Sequence, residues 1–222
     1  PWRRNPSRAV IIPFPEVLGA FAIVVVAAVI HGLTGFGFAL AATPVLLYFL
    51  DPKSTVVLTV ILSLASGILI VASSFRHASL RWITGPMVLN VFGAAAGGVV
   101  LVVIDPGLLR FLIGFMTVAF ATMFLVASNR AHEPTLKTGA AVGFVSGALM
   151  TSTGLGGPPM VLYLLNSQLQ KESIRASLAV FFCVSHVLST VTLVVAGVVS
   201  TPLLLTALAL IPPVVVGVPL GA

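Results

Sequence analysis

The sequence predicts an all-α fold: a polytopic transmembrane helical bundle built from two structural repeats. Three observations lead there. Of 222 residues, 59% are hydrophobic and only 7% are charged, where a soluble domain carries about 25% charged residues. Eleven Lys and Arg with five Asp and Glu cannot cover the surface of a globule of this length, which excludes a soluble protein. Charge-free apolar runs recur at membrane-spanning length. Two of the longer runs are interrupted by matching Gly-rich segments.

The elements follow in order from a ruler of about 20 apolar residues per crossing, at about 1.5 Å per residue. Arg3, Arg4 and Arg8 precede an apolar stretch that reaches Ile30. It resembles a signal peptide, but comparable stretches follow, so it is read as a first membrane segment. Full-length spans are expected at Ser54–Phe75, Trp82–Ile104, Leu108–Ala127, Ser177–Val199 and from Pro202 onward. Short charged or turn segments separate them, among them Asp51-Pro52-Lys53, Asp105-Pro106-Gly107 and Asn129 to Lys137. The chain is still apolar at Gly221-Ala222, so the last helix is expected to be incomplete.

Glu16 to Leu50 and Thr138 to Leu165 do not read as simple spans. His31 to Gly37 interrupts the first and Thr151 to Pro159 the second. Gly permits unwound backbone and Pro cannot continue a helical ladder, so each region should be two helical pieces meeting at a break. Thr34-Gly35-Phe36-Gly37 aligns with Thr153-Gly154-Leu155-Gly156, and after a four-residue length difference Pro44-x3-Tyr48 aligns with Pro159-x3-Tyr163. The repeats are assigned to residues 14–127 and 137–222.

Each interrupted region reads either as a hairpin or as one broken crossing. Hairpins place the three intervening spans between the repeats and make them inverted; broken crossings make them parallel. Loop charge arbitrates weakly. It divides five against six under the hairpin reading and seven against four under the other, a modest preference for broken crossings. Inverted repeats are still adopted, because Glu16–Ile30 and Phe38–Leu50 together are long enough for two passes.

Irregular backbone inside a membrane is tolerated where protein or a water-filled cavity satisfies it. Paired breaks in corresponding halves therefore point to a transport site. Helices starting after Gly37 and at Pro158-Pro159 would present free N–H groups and positive dipole ends, which bind anions. The expected substrate-binding set is Thr34, Gly35 and Gly37 from the first break, with Thr151, Ser152, Thr153, Gly154, Gly156, Gly157 and Pro158 from the second. His31 and His186 are embedded in apolar sequence and are candidates for proton coupling or substrate contact. Arg175 is placed at the mouth of the pathway, although interfacial snorkelling also explains it. Ser63, Ser66, Asn90, Ser185 and Ser189 are polar positions suited to a cavity or to bonds between helices. Phe36, Phe38, Phe181 and Phe182 are candidate gates.

The net charge of +6 does not indicate nucleic acid, since the basic residues are scattered in ones and twos rather than gathered in a stripe. Cys183 stands alone, so neither a disulfide framework nor a Cys-based metal pattern is expected. No cofactor is expected either.

Gly32 to Gly37, the run Gly143-Phe144-Val145-Ser146-Gly147 leading into Gly154-Leu155-Gly156-Gly157-Pro158-Pro159, and the Lys171 to Arg175 connection together resemble the TauE/SafE family of sulfite exporters, the TSUP group. Phe36 and Phe38 flank Gly37 where family copies often carry a denser glycine cluster. The resemblance implies secondary transport of a small sulfur oxyanion or organosulfonate, usually outward across the bacterial inner membrane, with lipid and a homodimer mate as the other partners. A passive anion channel, or a redox protein holding haem between His31 and His186, are the alternatives.

Overall fold

The computed structural model describes residues 14–126 and 135–221. Arg3, Arg4, Arg8, Ala127, Arg130, His132 and Ala222 lie outside them. Among the described residues the fold is helical throughout, in the order α1 (Phe14–Thr34), α2 (Phe38–Phe49), α3 (Pro52–Ser74), α4 (Leu80–Val103), α5 (Pro106–Val126), α6 (Leu136–Thr153), α7 (Gly157–Leu165), α8 (Lys171–Val195), α9 (Thr201–Ala209) and α10 (Ile211–Leu220). Five stretches are long and apolar enough to cross a membrane: α3, α4, α5, α8 and the combined run of α9 and α10.

Local chemistry sets several boundaries. Asp51 caps α3, its side chain accepting from the Ser54 N–H at 3.0 Å, with Pro52 in the first turn. Asp105 repeats the device before α5, accepting from the N–H groups of Gly107 and Leu108 at 2.8 and 3.1 Å. An Asp-Pro pair suits a helix start because the carboxylate takes an orphan N–H while Pro lacks one to orphan. Thr135 and Thr138 form a capping box at the start of α6.

Two expectations are corrected. The span placed at Ser177–Val199 begins six residues earlier, at Lys171, and ends at Val195. Its first turn is polar, so hydropathy alone missed it, and Gly197 with φ 69° closes its end. The run from Pro202 onward is divided at Leu210, because Pro212 and Pro213 supply the first turn of a new helix, α10.

The two interrupted regions form hairpins. Phe49, ending α2, packs on Gly19 near the start of α1. Tyr163, near the end of α7, meets Gly139 near the start of α6, while Gly156 backs onto the Ser146 carbonyl. Both second arms therefore run back along the first. At 12 and 9 residues they rise about 18 and about 14 Å, roughly half of a hydrocarbon core of about 30 Å.

Glycine seams hold the long helices together. A Cβ on Gly93 or Gly97 of α4 would overlap the carbonyl of Phe144 or Ala148 in α6, and one on Gly143 would overlap the Pro86 carbonyl. Asn90 donates across this seam to the Gly143 carbonyl at 3.2 Å, the helix-to-helix role open to it from sequence. Without lipid-independent apolar attraction, such close backbone approach is what drives helix association in membranes. A second seam joins α10 to α1, where Gly217 and Gly221 back onto the carbonyls of Val25 and Val29. The bundle's outer faces carry exposed apolar side chains, including Phe92, Val103, Phe111, Phe115, Val195 and Leu208, the surface expected of lipid contact.

Candidate functional site

The two breaks share one local construction. Each first helix runs to a threonine, α1 to Thr34 and α6 to Thr153. Thr34 Oγ1 donates to the Ile30 carbonyl at 2.8 Å and accepts from the Phe36 N–H at 3.3 Å. Thr153 Oγ1 donates to the Leu149 carbonyl at 2.8 Å and accepts from the Leu155 N–H at 3.2 Å. The next residue closes the helix in the left-handed region, Gly35 at φ 76° and Gly154 at φ 80°. That conformation is costly for a residue with a Cβ. The N–H of Gly35 reaches the His31 carbonyl at 2.8 Å and that of Gly154 the Met150 carbonyl at 3.0 Å.

These tips meet. A buried cavity of about 20 Å³, space for about one water molecule, is lined by His31, Gly37, Ser63, Gly154, Gly157 and His186, together with Phe36 to Leu40, Met150, Leu155 and Phe182. Residues some 119 positions apart in the chain thus share one wall. His31 is 2% exposed and Ser63 is 1% exposed, and His31 Nδ1 and Ser63 Oγ have no hydrogen-bond partner among the described residues. His186 Nδ1 lies 2.6 Å from the Phe182 carbonyl. A carbonyl only accepts, so Nδ1 carries the proton and Nε2 is the ring's remaining polar atom.

A larger space of about 740 Å³ adjoins it, lined by Leu33, Thr34 and Phe36 of the first tip, by α7 at Val161 and Leu165, and by Lys171, Glu172 and Arg175 of α8. Phe36 belongs to both linings. Its ring faces Gly157 of the second break and pairs with Phe124 of α5 at 5.9 Å between centroids. It stands as the wall between vestibule and inner cavity. Arg175 lies beside the first tip, where its carbonyl backs onto Gly35. The Arg175 Nε is buried without a partner among the described residues.

The expected site residues divide accordingly. His31, Gly37, Gly154, Gly157 and His186 line the inner cavity; Thr34 and Arg175 line the vestibule. Thr151, Ser152, Thr153, Gly156, Gly35 and Pro158 line neither. The hydroxyls among them are engaged elsewhere: Thr151 with Ser189 Oγ of α8 at 2.7 Å, Ser152 with the Ala148 carbonyl at 2.7 Å, and Thr153 as above. Serine and threonine in a helix bond to the carbonyl four residues back, so a hydroxyl next to a break is not thereby aimed into it. Gly35 and Gly156 shape the turns and press against protein. Ser63, one of the polar positions the sequence marks as suited to a cavity, joins the lining, as does Met150, for which the sequence carried no signal.

Two hairpins meeting at a small, mostly apolar pocket that holds His31, Ser63 and His186, beside a large vestibule and in a helical bundle with an apolar outer surface, define a multi-pass membrane protein of transporter type. The family model for Sulfite exporter TauE/SafE matches residues 20–222, nearly the whole chain, and the chain belongs to that family of membrane transporters. No curated protein and no solved structure matches it.

Proposed function

We propose that this chain is a secondary transporter exporting a small sulfur-containing anion, sulfite or an organosulfonate, across the bacterial inner membrane. The anion sits where the two breaks meet and is exposed to each side in turn. The observation that carries this reading is the shared cavity: matched breaks from both halves line one buried pocket, with Phe36 between it and the vestibule. Neutral donors at such a pocket suit a transported anion, because weak charge permits release as well as capture. Arg175 and Lys171 in the vestibule would draw the anion toward the pocket at the pathway mouth. His31 and His186, which line the cavity, would touch it or carry a coupled proton.

Inverted repeats are the arrangement this reading uses, and the packing supports a two-fold relation between the halves. The fourth helix of the first repeat, α4, packs on α6, the first of the second; α10 of the second repeat packs in turn on α1 of the first. The third helices, α3 and α8, pack on each other. Reciprocal exchange of this kind is what a two-fold relation between halves produces. With three helices of spanning length, α3 to α5, between the hairpins, hairpins that each return to their side of entry would lie on opposite sides, which supports the inverted arrangement.

A thermal-shift screen of purified protein against sulfite, sulfate, thiosulfate, sulfoacetate and acetate tests the substrate class. A ligand at 100 times its Kd stabilises the folded state by about 2.7 kcal/mol. A shift with sulfite or sulfoacetate that acetate does not reproduce is the expected result. No shift with any sulfur anion, or an equal shift with acetate, would sink the assignment.

A further inference from the structure

The two breaks match in their turns but not in the helices that leave them. In α2 the first intrahelical bond from the new helix runs from the Ala41 N–H to the Gly37 carbonyl at 3.1 Å. The N–H groups of Phe38, Ala39 and Leu40 are therefore orphans of a helix start, and all three residues line the inner cavity. At the offset of the two breaks, 153 minus 34 or 119, Ala39 corresponds to Pro158 and Leu40 to Pro159. Proline has no N–H, so the first turn of α7 keeps only the Gly157 donor.

We infer that the small oxyanion is gripped from one repeat only: by the Phe38, Ala39 and Leu40 N–H groups of α2, completed by Ser63 Oγ and by His31 in the tautomer that carries its proton on Nδ1, with α7 serving as a donor-poor opposing wall. The inference rests on the proposed anion transport and names the donors at that same site. Two observations independent of the helix end support it. His31 and Ser63 are almost wholly buried, line this cavity and have unpartnered polar atoms there. A buried donor without a partner carries its full desolvation penalty, which an oxyanion would relieve. The positive end of the α2 dipole adds to the same attraction.

The asymmetry has a mechanical consequence. The inner cavity holds about one water, too little for a sulfur and three oxygens, so the pocket must widen to admit them. A ligand bound to α2 alone lets α7 and Phe36 shift away without breaking the grip. Release then requires α2 itself, or His31 and Ser63, to change position.

The test is isothermal titration of purified wild-type protein, Ala39→Pro and Ser63→Ala with sodium sulfite. Ala39→Pro removes one N–H at a position where the other repeat already carries proline, and Ser63→Ala removes one hydroxyl. Loss of one hydrogen bond to a charged group predicts about tenfold or greater weakening for each. Gel filtration and melting temperature establish that each variant is folded, and Ser63→Ala decides the matter if Ala39→Pro does not fold. Wild-type affinity in the folded variants overturns the one-sided grip while leaving anion transport standing. Failure of the wild type to bind sulfite, sulfoacetate or thiosulfate overturns both.

Discussion

Phe36 is the residue on which the two spaces depend. It follows Gly35 in the first break, reaches across to Gly157 of the second, and lines both vestibule and inner cavity. Its counterpart Leu155 is 1% exposed and lines the inner cavity but not the vestibule, so the two breaks are plugged unequally. Phe36→Ala should merge the spaces and raise passive sulfite leak severalfold in proteoliposomes, with little change in melting temperature. Leak equal to wild type would show that another group forms the barrier. At this scale the sequence was informative about backbone and poor about hydroxyls. The Thr-Gly-x-Gly turns are legible because a left-handed residue calls for glycine. That Thr151 would bond Ser189 of α8, while Ser63 is left facing a cavity, depends on which helices become neighbours.

The seam between α4 and α6 shows the same division among elements. Helix positions were legible from charge-free runs, and the caps at Asp51 and Asp105 from their Asp-Pro pairs. Hidden from such reading were the partners: Gly93, Gly97, Gly143 and Gly147 look like ordinary glycines in apolar helices until α4 and α6 are set side by side. The break at Leu210 was missed because spans were counted between charges, although Pro212-Pro213 marks it. Gly147→Leu forces a side chain against the Asn90 carbonyl and the Ala94 N–H, an overpacking cost of about 1–3 kcal/mol or more. A melting temperature several degrees lower in detergent is expected, and an unchanged one would mean the seam yields without cost. Gly114 of α5, with nothing near its missing Cβ, is the control position expected to tolerate alanine.

For the whole molecule, the second arms of the hairpins are about half a bilayer long, and the two helix starts come together beside α3 and α8, which pack on each other. Bilayer thickness and helix rise made the bundle predictable, and the paired breaks pointed to where the two hairpins meet. Loop charge did not reveal the hairpins: the basic residues divide five against six under that reading and seven against four under broken crossings, which modestly favoured the latter. The contacts of Phe49 with Gly19 and of Tyr163 with Gly139 show the return of each second arm. In the proposed cycle the vestibule beside Arg175 is one exposed state, and the opposite state follows when the hairpins exchange their roles.

That cycle separates a carrier from a channel. Labelled sulfite uptake into proteoliposomes, measured with and without unlabelled sulfite inside, is the most direct test of the central claim. The account predicts saturable uptake that internal sulfite accelerates, because a loaded carrier returns carrying substrate. Uptake that rises linearly with concentration and ignores internal sulfite would contradict alternating access, and absence of sulfur-anion flux would contradict the assigned substrate.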